Sequence, residues 1–322
     1  MYTKKIDIST SIKKIKLSSC IMNASGALCS TEQELNKLLK SSSGAIITKS
    51  CTSFPRKGNM NPRYFYCKKY GSINSMGLPN LGIDFYLDFF EKKKTKKPIF
   101  LSISGLSEEE NFFLLRKANL SSKISAVELN LSCPNILVKD KKNNMINIGY
   151  DSYKLSSFLK EVFKLYEKPL GLKLPPYFNE IDIKNIAFIL NKYPIYFVTC
   201  INSIPNGIFI NSTNESVVIS PKKGFGGIGG KIIKPFALAN IRLFYLYLRK
   251  EISIIGCGGI TNGKDIFDHV LCGASAVQIG TQFIEEGLTV FDRLEKEFIS
   301  ILEKKNYLSI DNFKGNLKKN LI

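Results

Sequence analysis

Tryptophan is missing from this chain of 322 residues, and histidine occurs once, at His269. Arginine is found only at Arg56, Arg63, Arg116, Arg242, Arg249 and Arg293. With one histidine and no CxxC pair, a structural zinc site is not expected. The cysteines Cys20, Cys29, Cys51, Cys67, Cys133, Cys200, Cys257 and Cys272 form no dense framework, which points to a reducing compartment. The formal charge of +19 is almost all lysine, scattered along the chain with local runs such as Lys92-Lys93-Lys94, Lys96-Lys97 and Lys141-Lys142. Nucleic-acid readers concentrate arginine or interleave aromatics along one face. The charge therefore reads as a solvated surface, and salt-sensitive binding to RNA or DNA would mark the competing reading. No apolar run approaches the roughly 18 residues of a membrane span. Met1 to Cys20 mixes Lys, Ser and Ile without an apolar signal core. The expectation is a soluble, cytosolic protein that engages neither nucleic acid nor membrane.

What is present is an ordinary core composition, 44% apolar, with no linker or composition shift, so residues 1–322 read as a single domain. Short β-branched runs recur at Ile21–Ala24, Ala45–Thr48, Pro98–Ile103, Ala126–Leu131, Leu170–Leu174, Tyr196–Ile201, Ile252–Ile255 and Ala276–Ile279. Helical spacing separates them, at Thr31–Lys40 (capped by Thr31 or Ser30), Glu108–Lys117, Ser152–Tyr166, Ile181–Asn191, Pro235–Leu248, Gly263–Leu271 and Phe291–Lys304. Eight β units alternating with helices predict an α/β fold, a (β/α)8 TIM barrel, rather than a doubly wound sheet.

In such a barrel the C-terminal strand ends share one mouth. Here those ends carry Ser25-Gly26, Lys49-Ser50, Ser104-Gly105, Asn130 with Cys133, Lys173, Asn202-Ser203, Gly258-Gly259 and Gly280-Thr281. Polar residues begin wherever strands end, but that does not explain lysines at two of them. The run Val127 to Asn135 is the most informative. It alternates as a strand, and Pro134, which cannot donate to a ladder, sends the chain into a loop carrying Cys133 and Asn135. Gly256-Cys257-Gly258-Gly259 and Gly280-Thr281, after the seventh and eighth strands, suit a phosphate approached by backbone N–H groups. Gly224 to Gly230 reads as too glycine-rich for a strand interior, hence as backbone against a ligand or a flexible loop. No G-x-G-x-x-G follows a first strand, which disfavours a Rossmann site.

These residues carry a resemblance. Met22 to Gly26, Thr48 to Ser50, Gly71 to Asn80, Glu128 to Asn135, Lys173 to Phe178, Gly224 to Gly230, Pro235 to Asn240 and Gly256 to Ile260 resemble the class 1A dihydroorotate dehydrogenases along nearly the whole chain. That soluble, homodimeric family oxidises (S)-dihydroorotate with FMN in a (β/α)8 barrel and passes the electrons to fumarate. By position, the resemblance makes Cys133 the catalytic base. It assigns Lys49, Asn74, Met76, Gly77, Leu78, Asn130, Asn135, Asn202 and Ser203 to the pyrimidine. Ala24, Ser25, Gly26, Lys49, Ser50, Asn130, Lys173, Ile201, Gly230, Cys257, Gly258, Gly259, Gly280 and Thr281 fall to the FMN shell. It implies no metal.

The residue types suit that chemistry. Asparagine offers a donor and an acceptor in one plane, matching the edges of a ring with N–H and carbonyl groups. A buried ammonium such as Lys173 stabilises the negative charge of reduced flavin near N1. A free thiol titrates near about 8.5, so activity is expected to climb with pH toward that value. Three departures stand out: Ser19-Cys20-Ile21 replaces the family's Asn-Pro-Phe, Pro205 replaces a glycine, and the loop after Asn135 runs Ile136 to Lys139 into a longer polar insert, Asp140 to Asn147. Other readings are a partner-dependent, NAD-linked relative that uses an iron–sulfur subunit, and a Schiff-base aldolase built on Lys173. The remaining cysteines and His269 read as structural, with Cys257 offering backbone contacts.

Overall fold

The computed structural model describes residues 6–132 and 148–319. Parallel strands β1 (Ile21–Asn23), β2 (Ile46–Ile47), β3 (Ile99–Ile103), β4 (Ala126–Asn130), β5 (Leu170–Lys173), β6 (Phe197–Cys200), β7 (Ser253–Cys257) and β8 (Ala276–Ile279) pair in the order 1-8-7-6-5-4-3-2. Each strand thus lies beside its sequence neighbours, as a (β/α)8 barrel requires. Between β1 and β2 the ring is joined largely by a side chain. Asn23 Nδ2 donates to Ile47 O at 2.8 Å, and Ile47 N donates to Asn23 Oδ1 at 3.0 Å.

Outside the strands lie α1 (Glu32–Lys40), α2 (Gly82–Glu91), α3 (Glu108–Leu120), α4 (Ser152–Leu165), α5 (Glu180–Leu190), α6 (Lys234–Tyr247), α7 (Gly263–Cys272), α8 (Thr281–Glu286) and α9 (Thr289–Lys304). Five of these starts follow from capping chemistry. Thr31 caps α1 in a reciprocal box with Glu34, and Ser107, Asp151, Asn179 and Asn262 accept from first-turn amides of α3, α4, α5 and α7. The predicted strands and helices agree with these bounds to within two or three residues. Helix α2 was not among those predicted, because Phe85, Tyr86, Phe89 and Phe90 favour strands by propensity and only packing makes them helical.

The barrel interior is layered by the period of two along each strand. Met22, Ile47, Phe100, Ala126, Phe197, Ile255 and Ala276 form an apolar layer at the N-terminal ends. The hairpin of Thr10–Ile12 and Ile15–Leu17 adds Ile12 and Leu17 to it, plugging that end. Gly171 serves this layer, since a Cβ there would lie 2.3 Å from ring carbons of Phe197. Two residues further along come Ser102, Glu128, Lys173, Thr199 and Gln278, all buried and all polar.

One expectation needs correction. Phe225–Gly229, within the glycine-rich run, is a strand, paired between Ile204–Ile208 and Gly71–Asn74 in a four-stranded antiparallel sheet completed by Tyr64–Cys67. Within it Gly226 admits a neighbouring strand, since a Cβ there would sit 2.6 Å from Asn74 O, while Gly229 at its end borders the cavity described below. Of the departures, Ser19 to Ile21 enters β1, and Pro205 lies in the Ile204–Ile208 strand next to that sheet's register shift. Residues 136–147 lie outside the described residues.

Candidate active site

A cavity of about 650 Å³ opens at the C-terminal ends of the strands, between the barrel and the antiparallel sheet. It lies in the size range of small-molecule and cofactor sites. The strand-end residues Ala24, Ser25, Gly26, Lys49, Ser50, Asn130, Lys173, Ile201, Asn202, Ser203, Cys257, Gly258, Gly259, Gly280 and Thr281 all border it. So do Asn74 at the end of the Gly71–Asn74 strand, Met76, Gly77 and Leu78 in the chain that follows it, and Gly230 just after Phe225–Gly229. Cys133 and Asn135 lie outside the described residues. The end of β3 departs from expectation. Ser104 and Gly105 do not border the cavity, because Gly105 N donates to Asn111 Oδ1 at 2.8 Å and the chain turns into α3.

Hydrogen bonds fix the polar side chains in this wall. Asn202 Nδ2 donates to Ser132 Oγ at 2.8 Å, and Ser132 Oγ donates to Asn130 Oδ1 at 3.0 Å, binding the ends of β6 and β4 together. Asn130 Nδ2 points the other way, to Ser50 Oγ at 3.3 Å, and Ser50 meets Ser102 Oγ at 2.9 Å. Asn74 Nδ2 reaches Gly227 O at 3.2 Å, and Ser72 Oγ meets Thr281 Oγ1 at 2.8 Å, tying the antiparallel sheet to the start of α8. Behind Met76 to Leu78, Asn80 and Arg56 exchange backbone bonds of 2.8 and 3.0 Å, and Asn80 Nδ2 holds Leu78 O at 2.9 Å.

The glycines differ in what they provide. Gly258 and Gly259 adopt φ of +126° and +77°, which an L side chain rarely tolerates. At Gly26 a Cβ would meet no atom within 4 Å, and at Gly280 only Ala24 Cβ, at 3.7 Å. Those two positions leave room along the wall that no other described residue fills.

Charge in the cavity is mainly positive. Lys49, Lys173, Arg56 and Arg63 border it, against Glu34. Lys49 and Lys173 are both buried, at 6% and 4% exposure. The floor is a chain of polar contacts: Lys173 Nζ donates to Gln278 Oε1 at 2.7 Å, and Gln278 Nε2 donates to Glu128 Oε2 at 2.7 Å.

Arg56, Arg63, Tyr64, Ser72 and Gln278 border the cavity although sequence reasoning did not select them. Gln278 carried a usable signal, a polar residue inside the otherwise apolar run Ala276–Ile279. The two arginines carried none beyond their scarcity. Cysteines elsewhere fit a structural role. Cys20, Cys29, Cys51, Cys200 and Cys272 are buried and free, and burial raises the thiols of Cys20 and Cys29 to about 12. His269 is buried in α7 and away from the cavity. Among the described residues, no helix is long and apolar enough to cross a membrane, and no cluster of three or more His, Cys, Asp or Glu is placed to hold a metal ion.

Comparison with known proteins agrees with this architecture. The family model described as dihydroorotate dehydrogenase matches residues 7–302. A "Probable dihydroorotate dehydrogenase A (fumarate)" of Enterococcus faecalis is 49% identical over 317 residues, covering 98% of this chain and 100% of the relative. The "Dihydroorotate dehydrogenase A (fumarate)" of Lactococcus lactis is 50% identical over 315 residues, covering 97% and 99%. The "Dihydroorotate dehydrogenase (fumarate)" of Saccharomyces cerevisiae is 51% identical over 300 residues, covering 92% and 93%. Among solved structures, the ligand-free DHODH of Eimeria tenella superposes with a TM-score of 0.80 over 99% of this chain and 94% of that one, at 18% identity. That likeness speaks for the fold, and the sequence matches speak for descent. The chain belongs to the dihydroorotate dehydrogenase family.

Proposed function

We propose that this chain is a dihydroorotate dehydrogenase that oxidises (S)-dihydroorotate to orotate in pyrimidine biosynthesis, with FMN in the barrel mouth and fumarate as electron acceptor. One observation carries the reading. Every described residue that the family resemblance assigns to substrate or flavin borders a single cavity, although the residues come from widely separated parts of the chain.

The residues present suit the flavin. Open space at Gly26 and Gly280 accommodates a bulky group against bare backbone, and the positive φ of Gly258 and Gly259 presents a side-chain-free loop for a phosphate. The isoalloxazine would lie against Ala24 to Gly26, Ser50, Asn130, Ile201 and Lys173, and the phosphate against Gly230, Cys257 to Gly259, Gly280 and Thr281. When bound, FMN supplies the two-electron acceptor for the hydride released from C6 of dihydroorotate. Lys173 places positive charge on the cavity floor, and charge of that sign favours the reduced, anionic ring.

The chain's own part is recognition and proton transfer. Asn74, Asn130, Asn135 and Asn202 supply coplanar donors and acceptors for the ring edges, and Lys49 supplies a cation for the carboxylate. Met76, Gly77, Leu78 and Ser203 close the remaining edge. Cys133 follows directly on Ser132, and Ser132 accepts from Asn202 at the cavity wall. Its thiolate removes the C5 proton while hydride leaves C6. Fumarate, a flat dicarboxylate, would take up two electrons and two protons in the same positively charged mouth and leave as succinate. The reading includes a cytosolic homodimer, which sedimentation of the purified chain tests.

The deciding experiment is an absorption spectrum of the purified protein. A flavin band bleached by dihydroorotate and restored by fumarate is the expected result. A colourless protein trapped on Lys173 by borohydride with a carbonyl substrate would replace this reading with an aldolase. Restoration by NAD alone would replace fumarate as acceptor.

A further inference from the structure

Glu128 has no part in the mechanism above. It lies on β4 two residues before Asn130, fully buried, and does not border the cavity. Its Oε2 accepts from Gln278 Nε2 and from Thr199 Oγ1, both at 2.7 Å, while Oε1 is buried with no hydrogen-bond partner. Gln278 does border the cavity, and its Oε1 accepts from Lys173 Nζ at 2.7 Å. A carboxylate only accepts and an ammonium only donates, so the amide between them is locked in one orientation.

Folding alone gives no reason for this arrangement. A buried charge with incomplete hydrogen bonding is costly, and well-packed apolar residues in its place are commonly neutral or stabilising. The barrel packs such residues one layer below, around Phe197. The strand register sets Thr199 opposite Lys173, and side-chain hydrogen bonds join Glu128 and Gln278 to that pair from β4 and β8. We infer that Glu128 is a positioning residue, the counter-charge of Lys173 coupled to it through Gln278, and that it sets the net charge of the cavity floor beneath the flavin. This inference rests on the FMN reading. Its consequence has a definite sign. With the carboxylate removed and the geometry kept, the ammonium is uncompensated, and the reduced flavin gains relative to the oxidised form.

The test compares wild-type holoenzyme with Glu128→Gln by reductive titration against a redox dye. Glu128→Gln is expected to bind FMN and to favour the reduced form about tenfold over wild type, a rise of about 30 mV for a two-electron couple. An unchanged or lowered potential in the folded, FMN-loaded variant overturns the inference. A merely structural Glu128 would lower thermal stability and leave the potential alone. A second measurement needs no flavin: thermal unfolding of full-length Lys173→Gln and of Lys173→Gln/Glu128→Gln. Losing the ammonium strands the carboxylate, so the double variant is expected to regain stability lost in the single one. No recovery overturns the coupling even where Glu128→Gln does not fold. Should wild type fail to bind FMN, the functional proposal falls, and this stability cycle still decides whether Glu128 and Lys173 are coupled.

Discussion

Two layers of the barrel interior lie one strand alternation apart and follow opposite rules. The lower, with Phe100, Phe197, Ile255 and the plug residues Ile12 and Leu17, is apolar throughout, so its content is packing. The upper is dominated by Ser102, Glu128, Lys173, Thr199 and Gln278, all buried and all polar. Both occupy the inward positions of the same strands, so geometry does not distinguish them. Their position does: the upper layer underlies the cavity and the lower one faces the closed end. Where the mouth must present charge, the barrel accepts the cost of buried polar groups, and elsewhere it packs hydrocarbon.

That contrast can be broken by experiment. The largest effect is expected at the mouth. Cys133→Ala should lower kcat by about 10²–10⁴-fold, the usual worth of a positioned base, with FMN binding and thermal stability intact. Near-normal dihydroorotate oxidation by this variant would remove the thiol from the mechanism. The lower layer should respond in the opposite way. Phe197→Ala is expected to cost about 3–5 kcal/mol in urea unfolding, while the surviving folded protein turns over normally. A large loss of kcat in that folded fraction would erase the division between layers.

His269, outside the barrel on α7, sharpens the comparison with a smaller effect. Its Nδ1 lies 2.8 Å from Asp265 O, and burial lowers its pKa from 6.5 to about 4. Between those values the unfolded chain binds the proton and the folded one does not. Stability is therefore fully present above pH 6.5 and falls as pH drops through the window toward 4. From pH 7 to pH 5 the loss from this group should be about 2 kcal/mol. His269→Gln should flatten that part of the curve and leave the flavin spectrum unchanged. An unaltered slope would show that carboxylates, not this imidazole, govern the acid limb.

Much of this was legible in the chain. The β/α alternation was, because the barrel strands are short, mostly apolar runs and α1, α3, α4, α5 and α7 open on capping residues such as Thr31 or Asn262. The strand-end residues were also legible, since the barrel sends them all to one face. The antiparallel sheet was not: Phe225–Gly229 lacks side chains in the pattern that marks a strand, and its pairing with Gly71–Asn74 depends on contacts distant in sequence. Glu128 and Gln278 stood in plain view as polar residues inside apolar strands, yet only the fold brings them to within 2.7 Å of one another.

The link between β1 and β2 has its own consequence. Seven junctions of the ring are backbone ladders, whereas here the Asn23 amide imitates a neighbouring strand for Ile47. A cylinder fastened at one place by a side-chain clasp is, mechanically, a strip rolled up and buttoned. Its button is where solvent first gains entry, so the Ile47 amide should trade its proton for deuterium sooner than its counterparts at the centres of β4 and β7.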